Sequence, residues 1–423
     1  MKWRLLLASI LIACSFAPAV RGWDDSSLTP KERQEVFEQV WEELNYNFYD
    51  PTFKGVNWKD VHQKYLPQLE TVKTDAEFYA LLNRMAGELR DAHTRVLAPA
   101  LLAQLKSQQR PSAGFRVEEV EGKPVVTSVV DDSDAARGGV EPGMIVLTID
   151  GQPAVEKIAQ VRKTVAPSSS VRLDETRVYA STFGGPAGTK LTIKLQRADS
   201  STFETTLTRQ LMPVAPKLTT RRLSSGATYI AFDQFTTEIT KQFKAALPDA
   251  RGLIIDLREN SGGSSQALYP LVSSFFNEKT LFLRDTTRNG MPLRDAPPPK
   301  VYVGGGESQL YSGPVVILVG PRSGSSAELF AAGMQEMRGA IVIGSQTCGC
   351  AVGINSQRRL KGGAVLEIGE VLWLTPSGKK IEGAGVTPDR VVVPTIADLQ
   401  KRRDPLIEAA EKVLEEKSLR SRR

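Results

Sequence analysis

Ser323-Gly324-Ser325-Ser326-Ala327-Glu328 is a segment whose residue types and spacing could do acyl-transfer chemistry. It lies between an apolar run, Val315 to Val319, and a pattern in which Phe330, Gly333, Met334 and Met337 keep helical spacing. A serine at a helix N-terminus meets free N–H groups and the positive end of the helix dipole, which favour developing negative charge. That suits a nucleophile and half of an oxyanion hole. Ser325-x-x-Glu328 is equally a capping box, which needs no catalysis. A second segment, Asp256-Leu257-Arg258-Glu259-Asn260-Ser261-Gly262-Gly263, ends an apolar run in glycines that would let backbone amides approach a ligand closely. Alone it also reads as a simple strand-ending turn. The chain has 2 histidines. His62 falls among polar residues of a helical stretch and reads as a surface residue. His93, in Asp91-Ala92-His93-Thr94, sits in a loop after a helix.

These residues need a scaffold. From about Thr29 to Leu105 the pattern is helical, with Phe37, Val40, Trp41 and Leu44 on one face. A second helix is predicted from Asp75 to Leu89 with Thr74 as its cap. Residues 110–210 change to β-rich: Val125 to Val130, Met144 to Ile149 before the Asp150-Gly151 turn, and the alternating Leu191, Ile193 and Leu195. This module resembles a PDZ domain, with Gly114-Phe115 near the place of the carboxylate-binding loop. In residues 211–400, strands at Tyr229–Phe232, Gly252–Leu257, Val315–Val319 and Ala340–Ile343 alternate with helical patterns. The fold class expected is therefore α/β and multidomain: a helical region, a β-rich PDZ-like domain and an α/β core with a largely parallel sheet. Active sites of such sheets lie outside the carboxyl ends of the strands, where both the glycine and the serine turns fall. The expected division is 1–22 leader, 28–108 helical, 110–210 PDZ-like, 211–400 α/β core, and 401–423 a helix capped at Asp404-Pro405 with a basic tail.

Composition excludes several classes. The net charge of +6 is spread along the chain, and the short basic clusters carry no interleaved aromatics, so no nucleic-acid partner is expected. Lys2 and Arg4, the apolar run Leu5–Phe16 and Ala17-Pro18-Ala19 read as a secretory signal peptide, giving a periplasmic or secreted product. Leu11-Ile12-Ala13-Cys14 also resembles a lipobox, so membrane association would require lipidation of Cys14. The other two cysteines, Cys348 and Cys350, are one residue apart, a spacing that does not bridge easily, and read as two thiols. No four-ligand zinc pattern is present, and neither metal nor cofactor is expected.

Together the motifs resemble the C-terminal processing peptidase family, which includes tail-specific proteases and the catalytic core of the tricorn protease. The resemblance is carried by Phe48-Tyr49-Asp50-Pro51 through Trp58, by Gly252 to Gly263, by Ser323 to Ala331, and by Ile381-Glu382-Gly383-Ala384-Gly385-Val386-Thr387-Pro388-Asp389. It implies Ser325 as nucleophile, with oxyanion donors from the backbone of Ser326 and of Gly262 or Gly263. In the Ser-Lys branch the base is a lysine 25 residues after the serine; here that position is Cys350. The tricorn-like branch uses a histidine from the helical region and a glutamate of the closing motif, matched by His93 and Glu382. The implied site is thus a Ser325–His93–Glu382 triad, in which Glu382 would hold the imidazole. By itself Glu382 also reads as a solvated turn residue.

The resemblance implies a serine endopeptidase acting on polypeptides, their C-terminal tails above all, with Gly114 and Phe115 taking the peptide by strand addition. A protein that binds such peptides without cutting them is the rival. So is a protease with Cys350 as base: a histidine base gives activity rising through about pH 6.5, a thiolate nearer about pH 8.5.

Overall fold

A computed structural model describes residues 28–247, 250–288, 300–306 and 310–421. The leader 1–22, with Cys14, and the tail residues Arg422 and Arg423 lie outside the described residues. Among the described residues no helix is long and apolar enough to cross a membrane.

The first unit holds α1 (Pro30–Asn47), α2 (Trp58–Tyr65), α3 (Asp75–Gly87), β1 (Arg95–Leu97) and α4 (Pro99–Lys106). Two capping boxes start its main helices: Thr29 with Glu32, and Thr74, as predicted, with Glu77. Val36, Phe37, Val40 and Leu44 of α1 pack on Phe78, Leu81, Leu82 and Met85 of α3. Trp41 is only partly buried; its indole N–H donates to Trp58 O, and the Trp58 indole returns a bond to Trp41 O. His62 is half-buried rather than free on the surface, with Nε2 2.8 Å from Glu38. This core is finished from far along the chain by Val352, Leu360, Ala364, Leu366 and Ile368.

The β-rich unit comprises β2 (Gln109–Ser112), β3 (Phe115–Val120), β4 (Lys123–Val129), α5 (Asp134–Arg137), β5 (Ile145–Ile149), β6 (Gln152–Pro153), α6 (Ala154–Arg162), α7 (Val171–Phe183), β7 (Lys190–Gln196), β8 (Thr202–Thr208) and β9 (Gln210–Pro213). Strands run in the order β3-β4-β5-β7-β8, all antiparallel, and β3 forms an edge. Leu191, Ile193 and Leu195 point into the core and their neighbours out, the alternation of a half-buried strand. The helices α6 and α7 were not foreseen. Val178, Tyr179 and Phe183 of α7 complete the core.

The remainder begins with β10 (Leu218–Arg222), β11 (Thr228–Phe232), α8 (Thr237–Ala245), β12 (Leu253–Asp256), α9 (Ser265–Ser273), β13 (Thr280–Thr287), β14 (Lys300–Val303), β15 (Val315–Val319), α10 (Ser326–Arg338) and β16 (Ile341–Gly344). It continues with β17 (Val352–Gly353), β18 (Arg358–Arg359), β19 (Val365–Glu367), β20 (Val371–Leu374), β21 (Arg390–Val391), α11 (Ile396–Gln400) and α12 (Pro405–Ser421). The main sheet is ordered β10-β11-β12-β15-β16-β21. Its central strands are apolar throughout because both faces are covered. Ile255, Ile317 and Val342 face α8, α9 and α10. Ile254, Val316, Leu318 and Ile343 face Leu406, Ala410 and Val413 of α12.

The expectation of a largely parallel sheet needs correction. Among the described residues twelve of the sixteen strand pairings are antiparallel. Parallel pairing is confined to neighbours among β11, β12, β15, β16 and β21. The core also carries an antiparallel sheet, β14-β13-β20-β17, and a second, β1-β19-β18, that it shares with the helical unit. These strands lack the apolar runs that marked the others: β13 holds Arg284 and Asp285, and β18 is Arg358-Arg359.

Helix α10 lies flush on β13. A Cβ at Gly333 would sit 2.3 Å from the Phe282 ring. Gly333→Ala should therefore destabilise the fold by about 1–3 kcal/mol, the usual effect of overpacking. Urea unfolding would read it, and an unchanged midpoint would contradict this contact.

Candidate active site

The turn from β15 to α10 carries three serines with separate jobs. Ser323, fully buried, donates its hydroxyl to Leu257 O at 2.7 Å and accepts from Gly320 N, tying the ends of β12 and β15 together. Ser326 donates its hydroxyl to Gly263 O at 2.7 Å. Ser325 is half-buried at the helix start, with φ 51° and ψ −121°. Such a backbone is costly for a residue with a Cβ and persists only where its surroundings enforce it.

Glu328 does much of the enforcing. Its buried carboxylate accepts from Ser325 N (3.2 Å), Cys350 N (3.0 Å), Gly349 N (2.6 Å) and Thr347 Oγ1 (2.6 Å). The capping box of the sequence is real at its backbone end, but most of this carboxylate serves the loop 347–350. Ser325 N also donates to Cys350 O at 3.0 Å. Burial pushes the Glu328 carboxyl up to about 7, against the pull of its donors.

The glycine turn after β12 packs directly on Ser325. A Cβ at Gly262, where φ is +107°, would stand 2.6 Å from Ser325 Cβ, so only glycine fits. Gly262 N donates to Asn260 Oδ1 at 2.9 Å, and Asn260, fully buried, donates to Phe232 O. The Gly262 N–H is therefore spent. The N–H groups of Gly263 and Ser326 donate to no group among the described residues. They flank Ser325 as two available donors, which is the requirement for an oxyanion hole. Asn260 had no assigned role in the sequence; its place two residues before the glycines is the signal that marks it.

His93 and Glu382 arrive from opposite ends of the chain. The antiparallel pairing of β1 with β19 fixes the loop before Arg95 beside Ile368-Gly369, just past β19. Asp91 Oδ1 accepts from His93 N and Thr94 Oγ1, and Thr94 Oγ1 accepts from Gly369 N. Positions for a Cβ on Gly369 lie 2.8 Å from both Asp91 Oδ1 and Val352 Cγ1. Val352 N (3.1 Å) and Ala351 N (2.7 Å) both donate to Glu382 Oε2. Glu382 is 3% exposed, so it is not a solvated turn residue. Tyr49 stands in the electrostatic field of Asp91 and Glu382; burial first, then those two charges, hold its hydroxyl well above the usual phenol range.

Among the described residues no hydrogen bond joins His93 to Ser325 or to Glu382. Three buried atoms here have no hydrogen-bond partner: Asp91 Oδ2, which lies 3.6 Å from Lys54 Nζ, His93 Nδ1 and Glu382 Oε1. The nitrogen belongs to an imidazole and the oxygens to carboxylates, groups of complementary hydrogen-bonding type.

The expectation of two thiols needs correction. Cys348 and Cys350 form a disulfide, with Cα atoms 5.3 Å apart. Gly349 adopts φ +74°, which folds the chain back and brings the cysteines within bridging range. Cys350 is therefore no thiolate base. Glu328 and the two sulfurs cluster within 4.8 Å, but sulfurs bonded to each other do not offer thiolate ligands. Arg172 of α7 was also missed. Its guanidinium donates to Thr347 O at 2.5 Å and Ala384 O at 3.0 Å, pinning the loop before Cys348 and the turn after Glu382 from the β-rich unit. Gly114 and Phe115 stand at the start of edge strand β3, whose Arg116 pairs with Glu259 before the glycine turn. Gly114 N donates to Ser112 Oγ at 3.0 Å. Phe115 rings against Phe183 of α7.

Residues 226–392 match the model of peptidase family S41, and residues 29–87 match that of the tricorn protease C1 domain. At family level the chain matches the C-terminal-processing and tricorn peptidases. It is a serine-type endopeptidase. It is 27% identical over 385 residues to a carboxyl-terminal-processing protease of Synechocystis sp., covering 88% of this chain and 83% of the relative. The fold is similar to a photosystem II D1 C-terminal processing protease (TM-score 0.57, 21% identity, 92% of this chain and 98% of that one). It is also similar to the tricorn protease (TM-score 0.52, 18% identity, 92% of this chain and 37% of that one).

The raised Glu328 carboxyl makes a stability prediction. Its folded value, about 7, exceeds the ordinary 4.5, so ionisation costs the folded state. The stability this group contributes is complete below pH 4.5 and is lost as pH rises through about 7. The difference in unfolding free energy between wild type and Glu328→Gln should therefore shrink from pH 5 to pH 8 in urea titrations. A gap that widens with pH would reverse the assignment.

Proposed function

We propose that Ser325, His93 and Glu382 form the catalytic triad, closing when substrate seats. The observation that carries this reading is the orphan pair, His93 Nδ1 and Glu382 Oε1, in a site where Ser325 sits strained between two free N–H donors. A catalytic hydrogen bond that is loose without substrate and tightens in the complex is common. In the closed site His93 Nε2 takes the proton of Ser325 Oγ as that oxygen attacks the scissile carbonyl. Glu382 Oε1 holds Nδ1–H and stabilises the imidazolium. The Gly263 and Ser326 N–H groups receive the oxyanion. His93 then protonates the leaving amine, and water hydrolyses the acyl-enzyme by the same route.

The preferred substrates in this reading are unfolded polypeptides presenting a free C-terminus. The β-rich unit acts as a PDZ-like module: edge strand β3 begins at Phe115, directly after Gly114, and lies beside α7, where an extended tail adds as a strand. Export fits the charged, apolar and small-residue order of the N-terminus, and a disulfide fits an oxidising compartment.

Cleavage of a disordered polypeptide with an apolar C-terminus tests the triad. Ser325→Ala, His93→Ala and Glu382→Gln should each lower kcat by about 10³-fold or more while remaining folded by circular dichroism. His93→Ala with near wild-type turnover would move the base elsewhere, and wild-type binding without turnover would favour a peptide-binding protein. The PDZ-like role has its own measurement: amidating the substrate C-terminus should raise KM on the order of tenfold at similar kcat, the loss of charged hydrogen bonds. Equal KM for acid and amide would remove Gly114 and Phe115 from recognition.

A further inference from the structure

Cys348 and Cys350 stand beside the turn that carries Ser325: Cys348 N donates to Ser323 O and Cys350 O accepts from Ser325 N. We propose that their disulfide is a maturation site: the chain is made as an inactive dithiol, and oxidation after export positions the nucleophile. This rests on Ser325 being the nucleophile.

The first argument is loop length. A disulfide stabilises a fold through the chain entropy it removes, and that contribution grows with the loop it closes. A bridge across one intervening residue closes the shortest of loops and adds little to global stability. What it fixes is local.

The second argument is what lies there. Residues 346–351 have no regular secondary structure. Cys348 N donates to Ser323 O, Gly349 N and Cys350 N donate to Glu328, and Cys350 O accepts from Ser325 N. Each bond runs between this loop and the nucleophile turn. Cys350 Sγ lies 3.1 Å from where a Cβ on Gly324 would stand. Cys348 is 2% exposed and Cys350 7%. Two thiols cannot remain at bonding distance, so reduction drives the sulfurs apart in a closed space. The displacement falls on Gly324 and on the two N–H groups that hold Glu328. Ser325, whose backbone is tolerable only while those partners hold it, then relaxes out of its strained conformation.

The chemistry is thiol–disulfide exchange with a disulfide carrier. One cysteine thiolate attacks the carrier disulfide, forming a mixed disulfide and releasing a carrier thiolate. The second cysteine thiolate then displaces the remaining carrier sulfur, closing Cys348–Cys350. Two electrons and two protons pass to the carrier, which leaves as a dithiol. A chain held as dithiol in a reducing cytosol would thus be unable to cut its neighbours before export.

The test uses purified mature protein. Alkylation with mass detection counts thiols before and after dithiothreitol, and activity is followed with the disordered substrate and a serine-directed fluorophosphonate. Oxidised protein should show no free thiol. Reduction should expose two, lower kcat at least tenfold with little change in KM, and reverse on treatment with oxidised glutathione. A Cys348→Ala/Cys350→Ala variant has no sulfurs to drive apart and should keep both its rate and its thermal midpoint in dithiothreitol. Unchanged kcat with two thiols counted overturns the inference while leaving the site intact, as does a double variant that dithiothreitol slows. Oxidised protein whose Ser325 takes no probe overturns the site reading, and this inference with it.

Discussion

A single buried carboxylate organises this site. Glu328 lies within the first turn of α10, shielded from water, and receives four hydrogen bonds from Ser325 and the loop 347–350. Burying a carboxyl without partners is costly, and the donors offset that cost only if all of them stay in place. The helix start, Ser325 and the cysteine loop are therefore bound to move as one body. Glu382 obeys a different rule. Both of its backbone donors bind Oε2, leaving Oε1 buried and open. The first acid is saturated and structural; the second is half-satisfied and available.

Around that centre, distant parts of the chain are held by backbone pairing rather than by side chains alone. Strand β1 pairs with β19, so the loop carrying His93 is fixed by residues from the far end of the core. The helical unit cannot complete its own hydrophobic cluster without Val352, Leu360 and Leu366. Arg172 adds a third tie, from the β-rich unit to the carbonyls on either side of the site. Charge also bridges the units: Glu259, just before the glycine turn, meets Arg116 of β3 and Arg322 of the serine turn. All three are partly exposed, so this bridge contributes little to stability, and its effect is on where β3 sits.

Much of this was legible in the residues, and the failures have physical causes. Apolar runs fully buried on both faces identify themselves, which is why β11, β12, β15 and β16 were found. Strands such as β18 and β19 are short and partly charged, β19 pairs with the distant β1, and no local period marks them. Strand–helix alternation then suggested a parallel core, because the antiparallel members were the silent ones. The disulfide escaped for another reason. An extended Cys-x-Cys segment points both side chains to one face but holds its Cα atoms about 6.7 Å apart, at the far limit of bridging range. Gly349 takes a left-handed conformation and shortens that span to 5.3 Å. Asn260 and Arg172 act through backbone groups brought near only by the fold.

The three serines show how one short motif divides its labour. A backbone such as that of Ser325 costs about 1–3 kcal/mol and is not kept by its own contacts. Ser323 anchors the turn to Leu257 on one side, and Ser326 anchors the helix start to Gly263 on the other. Gly262 fills the space against Ser325 Cβ that any larger residue would need. Ser325 is thus held by neighbours whose hydroxyls are already committed, which leaves its own as the one unassigned to structure. Residue type alone could not separate the three, since each is a serine near a helix start. The partners of the other two do.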